Sequence, residues 1–349
     1  MIYQFPSYTK QIIELLSKQD WFIHSFPLNK KEEIYNPAGF LHNFKKQHTE
    51  YTIHLDLNIY QYVLNAFKKS KNNNLHRSAI ALVVFAKLTN VKFDPTIAIY
   101  EKLNYKNQCP DELIDDLILF RQIDNADIDL LALFSLGHTN NIELPYPEEL
   151  ERLQLKAQLT KYQKLKKWDT LYVFVLKITE LYFYENSLSN ESKLESFWCW
   201  CHEEFLFSLV ATCFAIKLFG MQSIPKLMKY SPKLTAEENK KHLTNMTWDL
   251  FLLDKFFEEW VNKTEQEQFI YASNDKPLKE VLKIAIEVQN NDKKVDLSKD
   301  LSGPLINSFL ITLEKIMTQQ GRRISIVTDF KSFRDDIIDD YECLLKVRV

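Results

Sequence analysis

The stretch YTIHLDLNIYQY, residues 51–62, decides the fold class. Its first five residues include β-branched and aromatic side chains and predict a short buried strand. After Asn58 the apolar residues recur at the spacing of an amphipathic helix. Asp56 stands between the two elements, and burying a carboxylate is costly unless it is paired or binds a cation. Asp56 is therefore either the N-cap of the helix or part of an acidic site.

Aspartate recurs at the carboxyl ends of the predicted strands. Three strands are predicted, separated by helical patterns: 51–56, 268–275 and 322–330. Strands separated by helices indicate a parallel sheet, and in such a sheet the ligand site lies beyond the carboxyl ends of the strands. Asp56, Asp275 and Asp329 all fall there. The sequence thus predicts an α/β fold with acidic side chains at one edge of the sheet.

Helical patterns fill most of the chain outside these strands. We expect residues 51–105 and 241–349 to form the α/β core, a parallel sheet flanked by helices. Residues 106–240 have helical spacing and predict a large all-helical insertion, and residues 1–50 predict an N-terminal helical extension.

Composition and charge narrow the class of protein. The chain has 349 residues, and 46% of them are hydrophobic, which is enough for a sizeable core. Five glycines without a glycine-rich motif disfavour a phosphate-cradling loop. A net charge of −3 does not suit a protein that coats nucleic acid, but it is compatible with a nuclease that has a local basic groove.

The sequence pattern also indicates where the protein works. The first 20 residues lack the basic-then-apolar order of a signal peptide, and no apolar run reaches about 18 uncharged residues. The five cysteines are an odd number and predict free thiols. We therefore expect a cytoplasmic protein that has no membrane partner.

Two further acids stand inside apolar helical patterns, Glu101 and Asp249. Carboxylates that converge from different elements can share Mg²⁺ or Mn²⁺, which activates water and neutralises charge on a phosphate. Each acid also has a simpler interpretation, Glu101 as a solvated helix residue and Asp249 as a helix cap. Asp254, which follows closely, is either a fourth acid or a surface residue.

Short motifs carry these acids in a fixed order along the chain. The motifs are LDLNIY (55–60), IYEKL (99–103), TWDLFLLDKF (247–256) and FIYASNDKPLK (269–279). Together they resemble the PIN-domain nucleases, and the resemblance covers roughly residues 50–105 and 240–330. It implies a PIN-like core that binds one or two Mg²⁺ or Mn²⁺ ions and cleaves RNA or, in some branches, DNA. The residues implied as metal ligands and catalytic groups are Asp56, Glu101, Asp249 and Asp275.

The same resemblance assigns two supporting positions. Asn58 matches a position that often supports the first aspartate of the family. The segment IVTDFKSF (326–333) is similar to the family's last strand motif, so Asp329 is an alternative to Asp275. We prefer Asp275, because its predicted strand directly follows the helix that carries Asp249.

Two functions from different classes follow. The first is a metal-dependent nuclease that hydrolyses phosphodiester bonds, with RNA favoured over DNA, for which the resemblance to PIN-domain nucleases implies a defence or toxin-like role. Its helical insertion would bind substrate or a protein partner. The second is a catalytically inactive PIN-like adaptor or scaffold that binds a protein or nucleic-acid partner, since Trp and Tyr side chains suit partner interfaces.

Overall fold

The chain folds into two compact units. The computed structural model describes residues 3–26, 31–68, 73–104, 109–146, 149–159, 167–290, 297–323 and 329–348. Unit 1 comprises residues 1–164 and 258–275, and unit 2 comprises residues 165–257 and 276–349. The chain therefore leaves unit 1, forms most of unit 2, and returns to unit 1 for a short segment.

A mixed sheet of four strands lies in the described part of unit 1. The strands are β1 Phe22–His24, β2 Glu50–Leu55, β3 Lys92–Asp94 and β4 Glu267–Ala272. Their order across the sheet is β1-β4-β2-β3. β2 pairs in parallel with both β3 and β4, whereas β1 pairs antiparallel with β4. The predicted α/β class is confirmed, but the prediction of a purely parallel sheet is wrong because β1 is antiparallel.

The two faces of β2 are both covered. Tyr51, Ile53 and Leu55 are buried in the hydrophobic core of unit 1, together with Ile270 of β4. Successive side chains of a strand point to opposite faces, so His54 lies on the other side of the sheet. His54 is buried as well. β2 is thus an interior strand, and polar groups at its carboxyl end are held in a largely dry environment.

Helices cover the sheet of unit 1. Those in the described residues are α1 Thr9–Ser17, α2 Pro37–Gln47, α3 Leu57–Lys68, α4 Asn74–Thr89, α5 Thr96–Asn104, α6 Pro110–Asn125, α7 Ile128–Leu136 and α8 Glu149–Leu159, with a short 3₁₀ helix at Lys31–Tyr35. α4 is apolar around most of its circumference and packs against α1, α2, α3 and α7. A helix with this pattern belongs inside a core. α3 and α4 together form the crossover from β2 to β3.

A buried ion pair joins the helices beside this core. Lys102 of α5 pairs with Asp116 of α6, and both side chains are 3% exposed. Lys68 of α3 reaches the same carboxylate from the solvent side. The ammonium of Lys102 also lies 5.1 Å from the ring centre of Tyr60. Burial lowers the pKa of Lys102, and the contact with Asp116 opposes that effect. Asp116 thereby compensates a buried cation that is costly without a partner.

The described residues of unit 2 form helices without a strand. These are α9 Trp168–Phe183, α10 Asn190–Glu203, α11 Leu209–Phe219, α12 Ala236–Val261, α13 Lys276–Gln289, α14 Gly303–Arg323 and α15 Phe330–Leu344, with 3₁₀ turns at Pro225–Leu227 and Leu297–Lys299. α12 belongs to unit 2 up to Phe257, and its last turn belongs to unit 1. Aromatic side chains fill the core, where Phe174 packs against Phe197, Trp200 and Phe205.

A close backbone approach fixes the end of α11 in unit 2. The N–H of Met221 donates to the carbonyl of Asp300 at 2.8 Å. A Cβ atom at Gly220 would lie 2.5 Å from the carbonyl oxygens of Asp300 and Ile216. The buried side chain of Lys217 pairs with the Asp300 carboxylate at 2.9 Å. Gly220 is therefore required by the contact between two backbone segments.

Two predicted segments fold differently from expectation. Residues 1–50 are not an extension outside the core, since β1 joins the sheet and α1 packs on α4. The strand predicted at 322–330 is wrong where the structure describes it, because Arg323 ends α14 and Phe330 begins α15. The segment 324–328 lies outside the described residues.

The helical part of the chain is also divided differently. The sequence assigns residues 106–240 to one insertion, but α6, α7 and α8 belong to unit 1. The all-helical unit consists instead of 165–257 and 276–349. Helical periodicity identifies these helices but contains no information about which of them share a core.

No helix in the described ranges combines the length and apolar character needed to span a membrane. The five cysteines are free, as predicted.

Candidate functional site

The carboxyl ends of β2 and β4 form the candidate site. From β2 the chain crosses over to β3 on one side, whereas β4 pairs with β2 on the other side. At such a reversal of strand order, α/β proteins bind ligands beyond the carboxyl ends of the strands. Asp56 directly follows β2, and the segment 273–275, Ser-Asn-Asp, directly follows β4.

Asp56 is the N-cap of α3. Its backbone carbonyl accepts from the N–H of Tyr60 at 3.0 Å, and its Oδ1 accepts from the N–H of Ile59 at 2.7 Å. Its own N–H donates to the carbonyl of Ala272, which extends the pairing of β2 with β4 by one residue. One of the two interpretations of Asp56 is therefore confirmed, since the side chain caps the helix. The cap uses Oδ1, and Oδ2 faces the end of β4.

The second carboxylate oxygen of Asp56 is held by β4. Ser273, which is 1% exposed, donates from Oγ to Oδ2 of Asp56 at 2.5 Å. The N–H of Asp275 donates to the same Ser273 Oγ at 3.0 Å. This chain of hydrogen bonds places Asp56 and Asp275 in one network. The structure thus brings two of the four predicted acids together.

Asp56 is difficult to ionise in this environment. It is 4% exposed, and burial raises its pKa to about 6 from a usual value of 3.8. Hydrogen bonds from Ser273 and from the N–H groups of Ile59 and Asn274 act in the opposite direction, and the charge of Asp275 raises the pKa further. Strongly shifted carboxyl groups in a crevice are candidates for function.

Aromatic side chains border the Ser-Asn-Asp segment. The indole N–H of Trp21 donates to Oδ1 of Asn274 at 3.3 Å, and Nδ2 of Asn274 donates to the hydroxyl of Tyr62 at 3.4 Å. The rings of Trp21 and Tyr62 are stacked with centres 6.4 Å apart. Asn274 is exposed, so it lies at the solvent edge of the site. These contacts fix the backbone that presents Ser273 and Asp275.

A buried histidine, His54, lies two residues before Asp56 and points to the same face of β2. Nδ1 of His54 is 3.1 Å from Asp94 at the end of β3, and Nε2 is 3.7 Å from Glu259 in the last turn of α12. Burial works against ionisation of Asp94, but contacts with His54 and Thr96 together hold its pKa below the usual value. The sheet edge therefore carries a second polar group, which spans the neighbouring strands.

Glu101 is in unit 1, on α5. It is half-buried, and α5 packs against β2 and α3. The fully buried residue of this turn is its neighbour Lys102, which pairs with Asp116. Glu101 is thus on a helix as predicted, whereas the buried ion pair of α5 is made by Lys102.

Asp249 and Asp254 belong to the part of α12 in unit 2. Asp249 is an interior residue of this helix and not its cap, and its carboxylate pairs with Lys229. Asp329, the alternative to Asp275, also lies in unit 2 and caps α15 by accepting from the N–H groups of Lys331 and Ser332. Asp275 is thus the acid that the structure places in the network of Asp56.

Asn58 does not hold Asp56 in the way expected. It is exposed on the first turn of α3, and the supporting side chain is Ser273. Ser273, Asn274 and the pair of His54 with Asp94 were missed as site residues. One available signal was that His54 and Asp56 are two residues apart on a strand, and therefore share a face.

The acids at the carboxyl ends of β2 and β4 provide some, but not all, of the ligands of a divalent cation. Among the described residues no group of three or more His, Cys, Asp or Glu side chains is arranged to hold a metal ion. The charge of Asp275 is nevertheless close enough to raise the pKa of Asp56, so two acids lie together at the carboxyl ends of β2 and β4. Mg²⁺ usually takes one or two carboxylates from a protein and completes its shell with water and substrate phosphate. The pair fits such a minimal site.

In comparisons with protein-family models, curated proteins and solved structures, nothing matches the chain. Function is therefore inferred from the geometry of the site.

Proposed function

We propose that the protein is a metal-dependent nuclease with a PIN-like core, and that Asp56 and Asp275 hold Mg²⁺ or Mn²⁺. The observation that supports this most is the burial of an acid at the carboxyl ends of the paired strands β2 and β4. RNA is preferred over DNA as substrate on the basis of the family resemblance.

A structural role alone does not account for a carboxylate at position 56. Ser, Thr or Asn caps a helix about as well as Asp, and none of them has to ionise. Here burial raises the pKa of Asp56 to about 6, so the charged form lowers the stability of the folded protein at neutral pH. A bound cation would compensate that charge, which gives the carboxylate a function that the cap does not explain.

The neighbouring residues prepare the acid for this role. The N–H of Ile59 donates to one carboxylate oxygen of Asp56 and the hydroxyl of Ser273 donates to the other, so the side chain has a single orientation. Asp275 adds a second negative charge, which raises the local affinity for a cation. A bound cation would stabilise charge on the phosphate and lower the pKa of a water. The protein itself orients Asp56 by these hydrogen bonds and excludes water from the buried side of its carboxylate.

Asp56→Asn separates the cap from the carboxylate. Asn keeps an oxygen for the N–H of Ile59 and offers an amide donor to Ser273, so the fold is retained. We expect labelled single-stranded RNA with Mn²⁺ to be cleaved by the wild type and at least 100-fold more slowly by this variant. Asp127→Asn is the matched control, since Asp127 caps α7 on the surface by accepting from Asp129 and Leu130.

Equal cleavage by the wild type and Asp56→Asn would overturn the assignment of the site. Cation binding gives a readout independent of activity, through the broadening of Mn²⁺ electron paramagnetic resonance signals. Binding should weaken in Asp56→Asn and Asp275→Asn, and should decline in the wild type as the pH falls through about 6. RNA or protein binding with neither cleavage nor Mn²⁺ binding would instead support the inactive adaptor.

A further inference from the structure

A cavity of about 280 Å³ lies beside the carboxyl end of β3 in unit 1. Its apolar wall includes Phe93, Leu117, Phe120 and Leu159. The rings of Phe93 and Phe120 are nearly parallel, with an angle of 10° and centres 5.4 Å apart. Pockets for drug-sized ligands measure roughly 300–1,000 Å³, so this cavity has room for one ring system. Flat aromatic walls suit a planar ligand.

Two opposite charges on α6 also line the cavity, Arg121 and Asp124. They are three residues apart on a helix, so they lie side by side on one face. The guanidinium provides a planar fork of donors, and the carboxylate provides two acceptors. A ligand that fits both must present adjacent acceptors on one edge and adjacent donors on another.

Asp124 is placed where a carboxylate is not favoured. It lies in the last turn of α6, where the helix dipole stabilises cations and opposes anions. Burial raises the pKa of Asp124, and the charge of Lys87 only partly offsets this. An acid held against both effects at the wall of a cavity indicates a binding role.

We propose that this cavity binds a guanine base through Arg121 and Asp124. Guanine presents N7 and O6 as adjacent acceptors, which Arg recognises in a bidentate manner. Its N1–H and N2–H₂ are adjacent donors on the Watson–Crick edge, and one carboxylate can accept from both. Cytosine lacks the adjacent donors, and adenine and uracil lack both arrangements.

The cavity lies at the same sheet edge as the candidate nuclease site. Asp94 lines it, and Asp94 is paired in register with His54, two residues before Asp56 on β2. Neighbouring strands are about 4.8 Å apart and a strand rises about 3.3 Å per residue, so the backbone of Asp94 at the cavity wall lies roughly 8 Å from that of Asp56. The inference that the guanine belongs to an RNA strand rests on the proposed nuclease function.

Nucleotide binding tests the cavity without reference to cleavage. We expect GMP to bind the metal-free wild type at least tenfold more tightly than AMP, CMP or UMP, measured by calorimetry or by saturation-transfer NMR. Asp124→Asn exchanges one acceptor for a donor, so GMP binding should fall at least tenfold. Xanthosine monophosphate has a carbonyl where guanine has its amino group, and this variant should bind it more tightly than GMP. Asp127→Asn, on the exposed cap of α7, should bind like the wild type.

The outcomes separate this inference from the nuclease proposal. Equal binding of the four nucleotides, or unchanged preference in Asp124→Asn, would overturn the guanine site even if RNA is cleaved. GMP binding without any cleavage would support the guanine site and contradict the nuclease. Tight binding of GMP with no preference for guanine-containing oligonucleotides would identify a free nucleotide as the ligand. Cleavage next to guanine that becomes less selective in Asp124→Asn would identify the RNA strand.

Discussion

Ser273 donates a 2.5 Å hydrogen bond to Oδ2 of Asp56, although the two residues are 217 positions apart. Both are buried, and each directly follows one of two neighbouring parallel strands. The contact therefore exists only when β2 and β4 are paired in the observed register. A shift of one residue would turn one of the two side chains to the opposite face of the sheet.

Asp56→Asn should stabilise the protein at high pH. The folded-state pKa of about 6 lies above the usual 3.8, so the contribution of Asp56 to stability is complete at low pH and is lost as the pH rises through about 6. The variant lacks this loss, and its free energy of unfolding at pH 8 should be higher by on the order of 2–3 kcal/mol. Urea unfolding in EDTA between pH 4.5 and 8 measures it. A variant no more stable than the wild type at pH 8 would show that ionisation of Asp56 does not destabilise the fold.

Asp94→Asn should have the opposite dependence on pH. The folded-state pKa of Asp94 is lowered, so its carboxylate stabilises the protein above the usual value of 3.8, and this contribution disappears as the pH falls below it. The variant keeps an acceptor for Thr96 but loses the charge beside His54. We expect a loss of about 1 kcal/mol at pH 7 that decreases as the pH falls below 3.8 towards the lowered pKa of Asp94. A loss that does not vary with pH would contradict the role of the charge.

Asp115 and Asp116 provide a matched pair of neighbouring acids on α6. Asp116→Ala leaves the buried Lys102 without its carboxylate and should cost about 3–5 kcal/mol of unfolding free energy. Asp115→Ala removes an exposed pair with Arg152 and should cost less than about 1 kcal/mol. Thermal and urea unfolding compare the two. Combining Asp116→Ala with Lys102→Met should restore much of the loss, and no restoration would argue against the ion pair as its cause.

Gly220→Ala should destabilise unit 2. Its Cβ would meet the carbonyl oxygens of Asp300 and Ile216 at 2.5 Å, and backbone atoms cannot move aside without disturbing α11. Overpacking of this kind costs typically 1–3 kcal/mol. Gly303→Ala is the control, because nothing lies within 4 Å of a Cβ there. Hydrogen exchange of the amides in α11 measures the local effect, and equal protection in both variants would disprove it.

The two six-residue strands were predictable from periodicity alone. The predicted strand 51–56 agrees with β2 to within one residue, and the predicted strand 268–275 begins within one residue of β4 but ends three residues after it. β1 and β3 have three residues each, too few to establish a period. β3 was also missed because Asp94 and Pro95 indicate a helix start. That indication agrees with the structure, since Asp94 accepts from the N–H of Thr96 at the start of α5.

The candidate site was predictable in part, for a related reason. Asp56 and Asp275 follow strands, and parallel strands bring their carboxyl ends to one edge. Asp249 and Asp329 have similar sequence surroundings, but which unit a helix joins depends on contacts that no local pattern encodes. The guanine cavity is lined from β3, α5, α6 and α8, and its shape depends on how those helices pack.

The position of β4 in the sheet has a consequence for synthesis. β4 lies between β1 and β2 but is translated more than 200 residues after them, which takes about 10–40 s at 5–20 residues per second. Until then, β2 lacks its β4 partner, and Asp56 has no Ser273 to orient it. A nascent chain on the ribosome, or a fragment ending before β4, therefore carries the acid but not the site. On the proposed function, the cell is not exposed to nuclease activity until β4 has been synthesised.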